Sequence, residues 1–243
     1  MKNEQKILKA LGRYNCSYIA KVVEQRKLKC SIGNMEKRVA GLVLTPRGVP
    51  LPHVLLTKQL SLVALKGFVS NMLKALEVMH GEKIHHNDIA PKNIVVVRKG
   101  RGSEAVLVDF GDATSPGEKL KGFVGHVHYV HDDVFRKYPS KDWTPEDMHD
   151  KAALAYTMAA VFGGGEATWD MKVFPRCDME GLDNVLDDRR KQAIERLERH
   201  KVTDLIPFIN ESSNVSPSRP RKPSKRKETT SPKDLHPRKM KRS

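Results

Sequence analysis

The chain comprises 243 residues, 39% of them hydrophobic and 6% aromatic, with a formal net charge of +15 at pH 7. That length supports one large domain or two small ones and excludes disorder along the whole chain, while the lean aromatic content places some segment outside the core. Cys16, Cys30 and Cys177 are too widely spaced for a disulfide framework or a paired metal-ligand pattern, so a reducing compartment is expected.

The first residues lack the apolar core of a signal peptide. Residues 3–13 place Ile7, Leu8 and Leu11 at helical spacing before Gly12, which predicts an amphipathic helix. β-Branched residues over 18–23 and the run VAGLVLT over 39–45, separated by a polar turn at Ser31, Gly33 and Asn34, predict short strands of one sheet. Pro46, Gly48, Pro50 and Pro52 end that sheet. Residues 59–80 carry Leu62, Leu65, Val69, Leu73, Leu76 and Met79 three and four apart, which predicts a long helix with one buried face. The apolar runs 94–97 and 105–108, joined by a basic glycine-containing turn, predict a β-hairpin. A loop from Gly111 to about Pro145 leads into a helix over 145–162, whose run AALAYTMAAVF is apolar enough for the centre of a fold. Glycines 163–165 stop it. The uncharged stretch 152–165 is too short and glycine-rich to span a bilayer, so no membrane partner is expected. A charged helix over 182–200 follows, with Leu205 to Ile209 packing back.

From 211 to 243 the sequence has eleven Lys/Arg against three Asp/Glu, recurrent prolines and few aliphatic residues, the composition of a disordered basic tail. Its clusters Arg219-Pro-Arg-Lys222, Lys225-Arg-Lys227 and Arg238-Lys-Met-Lys-Arg242 have the character of a nuclear import signal, so the import machinery is an expected partner and the location nuclear or cytoplasmic. No aromatics interleave with them, which argues against nucleic acid as the main partner.

The chemistry concentrates in His86-Asn-Asp-Ile-Ala-Pro-Lys-Asn-Ile94 and, across the hairpin, Asp109-Phe-Gly111. A carboxylate, an amide oxygen five residues on and a second carboxylate beyond a hairpin suit phosphoryl transfer. One group orients an attacking hydroxyl and two oxygens hold Mg²⁺. Asp88, Asn93 and Asp109 fit these roles. Each alone is a common turn residue; the strand-turn-strand between them favours a site.

These segments resemble the eukaryotic protein kinases, whose catalytic loop reads His-Arg-Asp-x-x-x-x-Asn and whose metal loop reads Asp-Phe-Gly. Gly125-His-Val-His-Tyr-Val-His-Asp-Asp133 is similar to the family's Gly-Thr, Tyr, Ala-Pro-Glu segment, with Asp133 in register with the glutamate. Asp150 with Ala153-Leu-Ala155 resembles the start of the central lower-lobe helix, and Glu4 in Asn3-Glu-Gln-Lys-Ile-Leu8 the ion-pair glutamate of the regulatory helix. The resemblance covers residues 3–209 and implies an α+β kinase-like fold, a mainly helical lower lobe with a partial small-lobe sheet. It implies a partial small lobe at 1–48, the lower lobe at 49–210 and the tail at 211–243. It also implies ATP and Mg²⁺ as cofactors, with Asp88 and Lys92 catalytic, Asn93 and Asp109 on the metal, and Val95 and Glu4 toward the nucleotide. His86 is implied to stack on Phe110, with Leu8 topping the same apolar column. The Leu44-Thr-Pro-Arg-Gly48 hinge and the form of the catalytic loop look more like the crinkler-type and related fungal kinase-like domains than like mainstream kinases.

Three departures stand out. The sequence contains no G-x-G-x-x-G loop and no lysine strand before the regulatory helix, which leaves truncation, decay or supply from elsewhere open, with truncation or decay favoured. Asn87 replaces the arginine that in many kinases pairs with an activation-loop phosphate, so phosphorylation is not expected to order that loop. Ala90 replaces the catalytic-loop lysine, for which Lys92 is the candidate substitute. His126, His128 and His131 lie in a loop without a matching fourth ligand and are not read as a zinc site. The expected activity is transfer of the ATP γ-phosphoryl group to Ser or Thr of an unknown protein substrate. The rival is an inactive pseudokinase that presents an interaction surface in the nucleus.

Overall fold

In the computed structural model, residues 2–32, 35–57, 60–137, 142–164 and 179–210 are described. The tail, the turn at Gly33 and Asn34, Gly165 and the expected helix start at Gln59 lie outside them.

Helix α1 (Lys2–Leu11) buries Ile7, Leu8 and Leu11, the stripe its spacing predicts. Strands β1 (Lys21–Ile32) and β2 (Met35–Thr45) pair antiparallel from Lys21 opposite Thr45 to Ile32 opposite Met35. The hairpin is longer than the sequence suggests because β1 is rich in charge, which hides an alternating pattern. Leu107 joins this upper part to the lower one, donating its N–H to Tyr18 O at 2.9 Å and accepting from Ala20 N at 3.0 Å.

The proline-rich stretch ends the upper sheet, as expected, but then forms β3 (Val49–Pro50) and helix α2 (Leu51–Leu56). Pro52 sits in the first turn of α2, where its missing N–H leaves no intrahelical bond unmade. The expected lower hairpin is β4 (Ile94–Lys99) and β5 (Gly102–Leu107), with β3 along the outer edge of β4.

Helix α3 (Leu62–Gly81) starts where the Ser61 side chain accepts the Ala64 N–H at 3.2 Å. Its buried face runs through Phe68, Val69, Met72, Ala75, Leu76 and Met79. Leu62, which the sequence placed on that face, is 46% exposed. The face is turned because α3 packs against both β5 and helix α5 (Asp147–Phe162), which widens its apolar surface beyond one stripe. Helix α5 is buried around its whole circumference from Ala152 to Phe162. It packs against helices α6 (Met179–Arg199) and α7 (Ile206–Asn210), the central position its composition predicts. The expected loop from 111 to 145 carries short elements too brief for any periodicity to show: β6 (Leu120–Lys121) paired with β7 (Asp142–Trp143), and α4 (Asp132–Lys137).

Candidate active site

Two residues of α5 grip the loop that carries Asp88. The Asp150 carboxylate, 1% exposed, accepts the His86 and Asn87 backbone N–H groups at 2.8 and 2.9 Å and meets His80 Nε2 at 3.1 Å. Thr157 Oγ1 donates to Ile89 O at 3.1 Å. Burial works against ionisation of Asp150, but the His80 hydrogen bond and charge, with those of His86, outweigh it and hold the carboxyl below its ordinary range. On the opposite side His85 pairs through its backbone with Thr114, and His86 stands edge-on to Phe110 at 4.9 Å. The expected packing of His86 against Phe110 is thus present, and Leu8 belongs to the same hydrophobic core as Phe110.

Asp88, 8% exposed, is thereby fixed in the loop. Its Oδ2 accepts Asn93 Nδ2 at 2.8 Å and pairs with Lys92 Nζ at 3.0 Å. Its Oδ1 is buried and has no hydrogen-bond partner among the described residues, which leaves one oxygen to accept a proton. Asn93 spends both Nδ2 contacts on Asp88, the second at 2.7 Å to its carbonyl, and so turns its amide oxygen away from that residue. The Asn93 carbonyl accepts the Val108 N–H at 2.9 Å, which brings the next residue, Asp109, beside the loop. Asp109 adopts φ 63°, a left-handed conformation that aspartate tolerates better than most side chains, and its carboxylate is exposed apart from a 3.4 Å contact with Gly111 N. A hard amide oxygen and an exposed carboxylate are a donor set that fits Mg²⁺.

Val95 is half-buried on β4 opposite Pro50 and Val106. Glu4 stands apart: it is half-buried on α1 and makes no ion pair among the described residues. The same helix reaches the metal-loop segment through Asn3, whose Nδ2 donates to Ala113 O at 2.7 Å.

The segment after Asp109 is tied to Asn87. Its Nδ2 donates to Asp112 O at 2.9 Å and lies within 3.2 Å of Thr114 Oγ1. Gly125, at φ 96°, passes so close that a Cβ there would sit 2.4 Å from Asn87 O. His126 follows and feels both site charges: burial and the Lys92 ammonium lower its pKa, with Asp88 acting in the opposite sense.

Two features escaped the sequence. The buried carboxylate beyond Tyr129 is Asp132, not Asp133; it pairs with Arg189 of α6, both side chains fully enclosed, while Asp133 is half-buried. Arg189 also stacks on Tyr156 at 4.0 Å and Phe135 at 5.1 Å. Its position, in line with buried Leu186, Ala193 and Leu197, was the available signal: a charge inside an apolar stripe. The second is a cluster of His131, Asp133 and His149, whose side-chain ligand atoms converge within 4.8 Å. It differs from the histidine trio the sequence raised. Each ring accepts a backbone N–H at Nδ1, from Asp133 at 3.0 Å and Glu146 at 2.9 Å, which places the ring proton on Nε2. That tautomer leaves neither ring a lone pair for a metal, so the cluster serves as a pair of caps, one of them starting α5.

Comparison with known proteins gives a consistent picture. The family described as "Protein kinase domain" matches residues 2–169. The human dual specificity tyrosine-phosphorylation-regulated kinase 4 is 33% identical over 79 residues, 32% of this chain and 15% of that protein. CDPK-related kinase 3 of Arabidopsis thaliana is 24% identical over 169 residues, 63% of this chain and 28% of that protein. The chain thus spans under a third of the length of these relatives. A chain from the yeast RNA Pol II CTD kinase CTDK-1 complex superposes with a TM-score of 0.52 at 18% identity, over 70% of this chain and 51% of that one.

Proposed function

The chain belongs to the protein kinase family, and from that premise we propose that it transfers the γ-phosphoryl group of ATP to a serine or threonine hydroxyl of a protein. The observation that carries this reading is the free Oδ1 of Asp88 on a carboxylate whose other oxygen is fixed by Asn93 and Lys92. The acceptor hydroxyl attacks the γ-phosphorus, its proton passes to Asp88, and the bond to the bridging oxygen of ADP breaks. Lys92 offers positive charge beside the reacting oxygens. Asn93 and Asp109 would hold Mg²⁺, which neutralises phosphate charge, and Val95 offers an apolar surface to the base. Asp150 positions the loop without touching substrate. The placement of residues 1–48 as a partial small lobe and of 49–210 as the lower lobe goes with this reading; the crinkler-type subgrouping rests on the Leu44–Gly48 hinge and the catalytic loop.

The half-buried Glu4 without an ion-pair partner among the described residues favours a second reading, an inactive pseudokinase that works as an interaction module. The basic clusters of residues 219–242 would direct either protein to the nucleus through the import machinery. Transfer of label from γ-labelled ATP to a mixture of basic proteins separates the readings: turnover that drops at least a hundredfold in Asp88→Asn supports the kinase, and label at the Asp88→Asn level in the unaltered chain supports the pseudokinase.

A further inference from the structure

The reverse face of the hairpin that carries Val95 holds a groove of about 350 Å³. Side chains alternate across β4, so Val96 and Arg98 face this groove while Val95 belongs to the other side of the strand. The groove therefore lies apart from the Asp88 site. Val49, Val54 and Leu60 supply the rest of its apolar wall, and Arg47 and Arg98 supply positive charge. Both arginines are exposed, and among the described residues no carboxylate pairs with either. Apolar surface continues along the chain around it: Leu56 is 81% exposed, Val63 80%, Leu62 46% and Val49 44%. These are four of the six large hydrophobic side chains exposed among the described residues, and they fall within fifteen positions of the chain. Such a concentration marks an interaction surface and not scattered surface leucines.

We propose that this groove docks an extended segment of another protein in which one or two acidic residues flank aliphatic side chains. Charge complementarity selects the acidic partner, because two unpaired guanidiniums at an apolar groove attract carboxylates strongly enough to orient and register a chain. The same argument excludes the basic tail of residues 211–243 as occupant, since it carries the sign of the groove. The wall is aliphatic without aromatic rings, which suits leucine and valine side chains and offers nothing for bases to stack on. The exposed residues reach beyond the groove itself, which suits a segment of several residues better than a small molecule. Docking at this place would leave the Val95 side of the strand uncovered.

The test is selection of a phage-displayed random twelve-residue library on the full chain, followed by titration of a fluorescent copy of the leading peptide. The expected result is a consensus with acidic residues next to two aliphatic ones, bound about tenfold more weakly by Arg47→Glu/Arg98→Glu and equally well by Asp88→Asn. Both arginines are exposed, so the double variant should keep its fold, and an unchanged melting temperature confirms that. Selected peptides that lack acidic residues, or that bind the double variant as tightly as the unaltered chain, overturn the proposal. A labelled single-stranded oligonucleotide that loses affinity in the double variant when the peptides do not would overturn it in favour of nucleic acid. None of these readouts depends on turnover, so their failure is separate from failure of the kinase reading.

Discussion

The loop around Asp88 and the β1–β2 hairpin above it are built on opposite plans. Below, the loop is held by buried side chains of α5, Asp150 taking two N–H groups and Thr157 donating to a carbonyl, while its own Asn87 spans to Asp112 and Thr114. Above, β1 and β2 hold each other, Arg26, Lys27 and Lys29 of β1 are exposed, and Glu4 has no ion-pair partner among the described residues. The difference teaches where constraint resides. The backbone on either side of Asp88 is held by contacts more than 60 residues distant in sequence, whereas the upper region relies on local pairing.

Asp150→Ala should break this contrast most severely. It strands two buried N–H groups and His80, and should cost about 3 to 5 kcal/mol in urea unfolding. The same carboxyl also sets an acid limit. Its folded pKa lies below the ordinary value of 3.8, so its contribution is complete above that pH and lost as the pH falls through the folded value. In Asp150→Asn that part of the acid-unfolding profile should flatten; a profile identical to that of the unaltered chain would assign the acid limit to other carboxylates.

Gly125→Ala should come next, at about 2 to 3 kcal/mol, because the backbone is left-handed there and the added carbon meets Asn87 O. A loss of less than about 0.5 kcal/mol would show that the segment after Asp109 can shift away from Asn87. The smallest effect belongs to the upper hairpin. Arg26 pairs with Glu24 at the surface, and Arg26→Ala should change stability by no more than about 0.5 kcal/mol. A cost near that of Asp150→Ala would erase the contrast between the regions.

What the sequence revealed follows the same division. That residues 86–94 and 109–111 come together, with Asp150 behind the first of them, was legible because each is a short contiguous motif. The burial of α5 was legible from composition, and that of α1 from its spacing. The buried face of α3 was read one edge too far, since periodicity locates a stripe but not the two neighbours that widen it. The burial of Asp132 was not legible because adjacent carboxylates are equivalent until a partner is known, and Arg189 lies 57 positions away. The elements between 120 and 143 were too short to carry any period.

Binding of Mg²⁺-ATP tests the central claim, that Asn93 and Asp109 form a metal-nucleotide site, most directly. Thermal denaturation of the full chain should show stabilisation by millimolar ATP that requires Mg²⁺ and disappears in Asp109→Ala. No shift at that concentration, or an equal shift in Asp109→Ala, would contradict it.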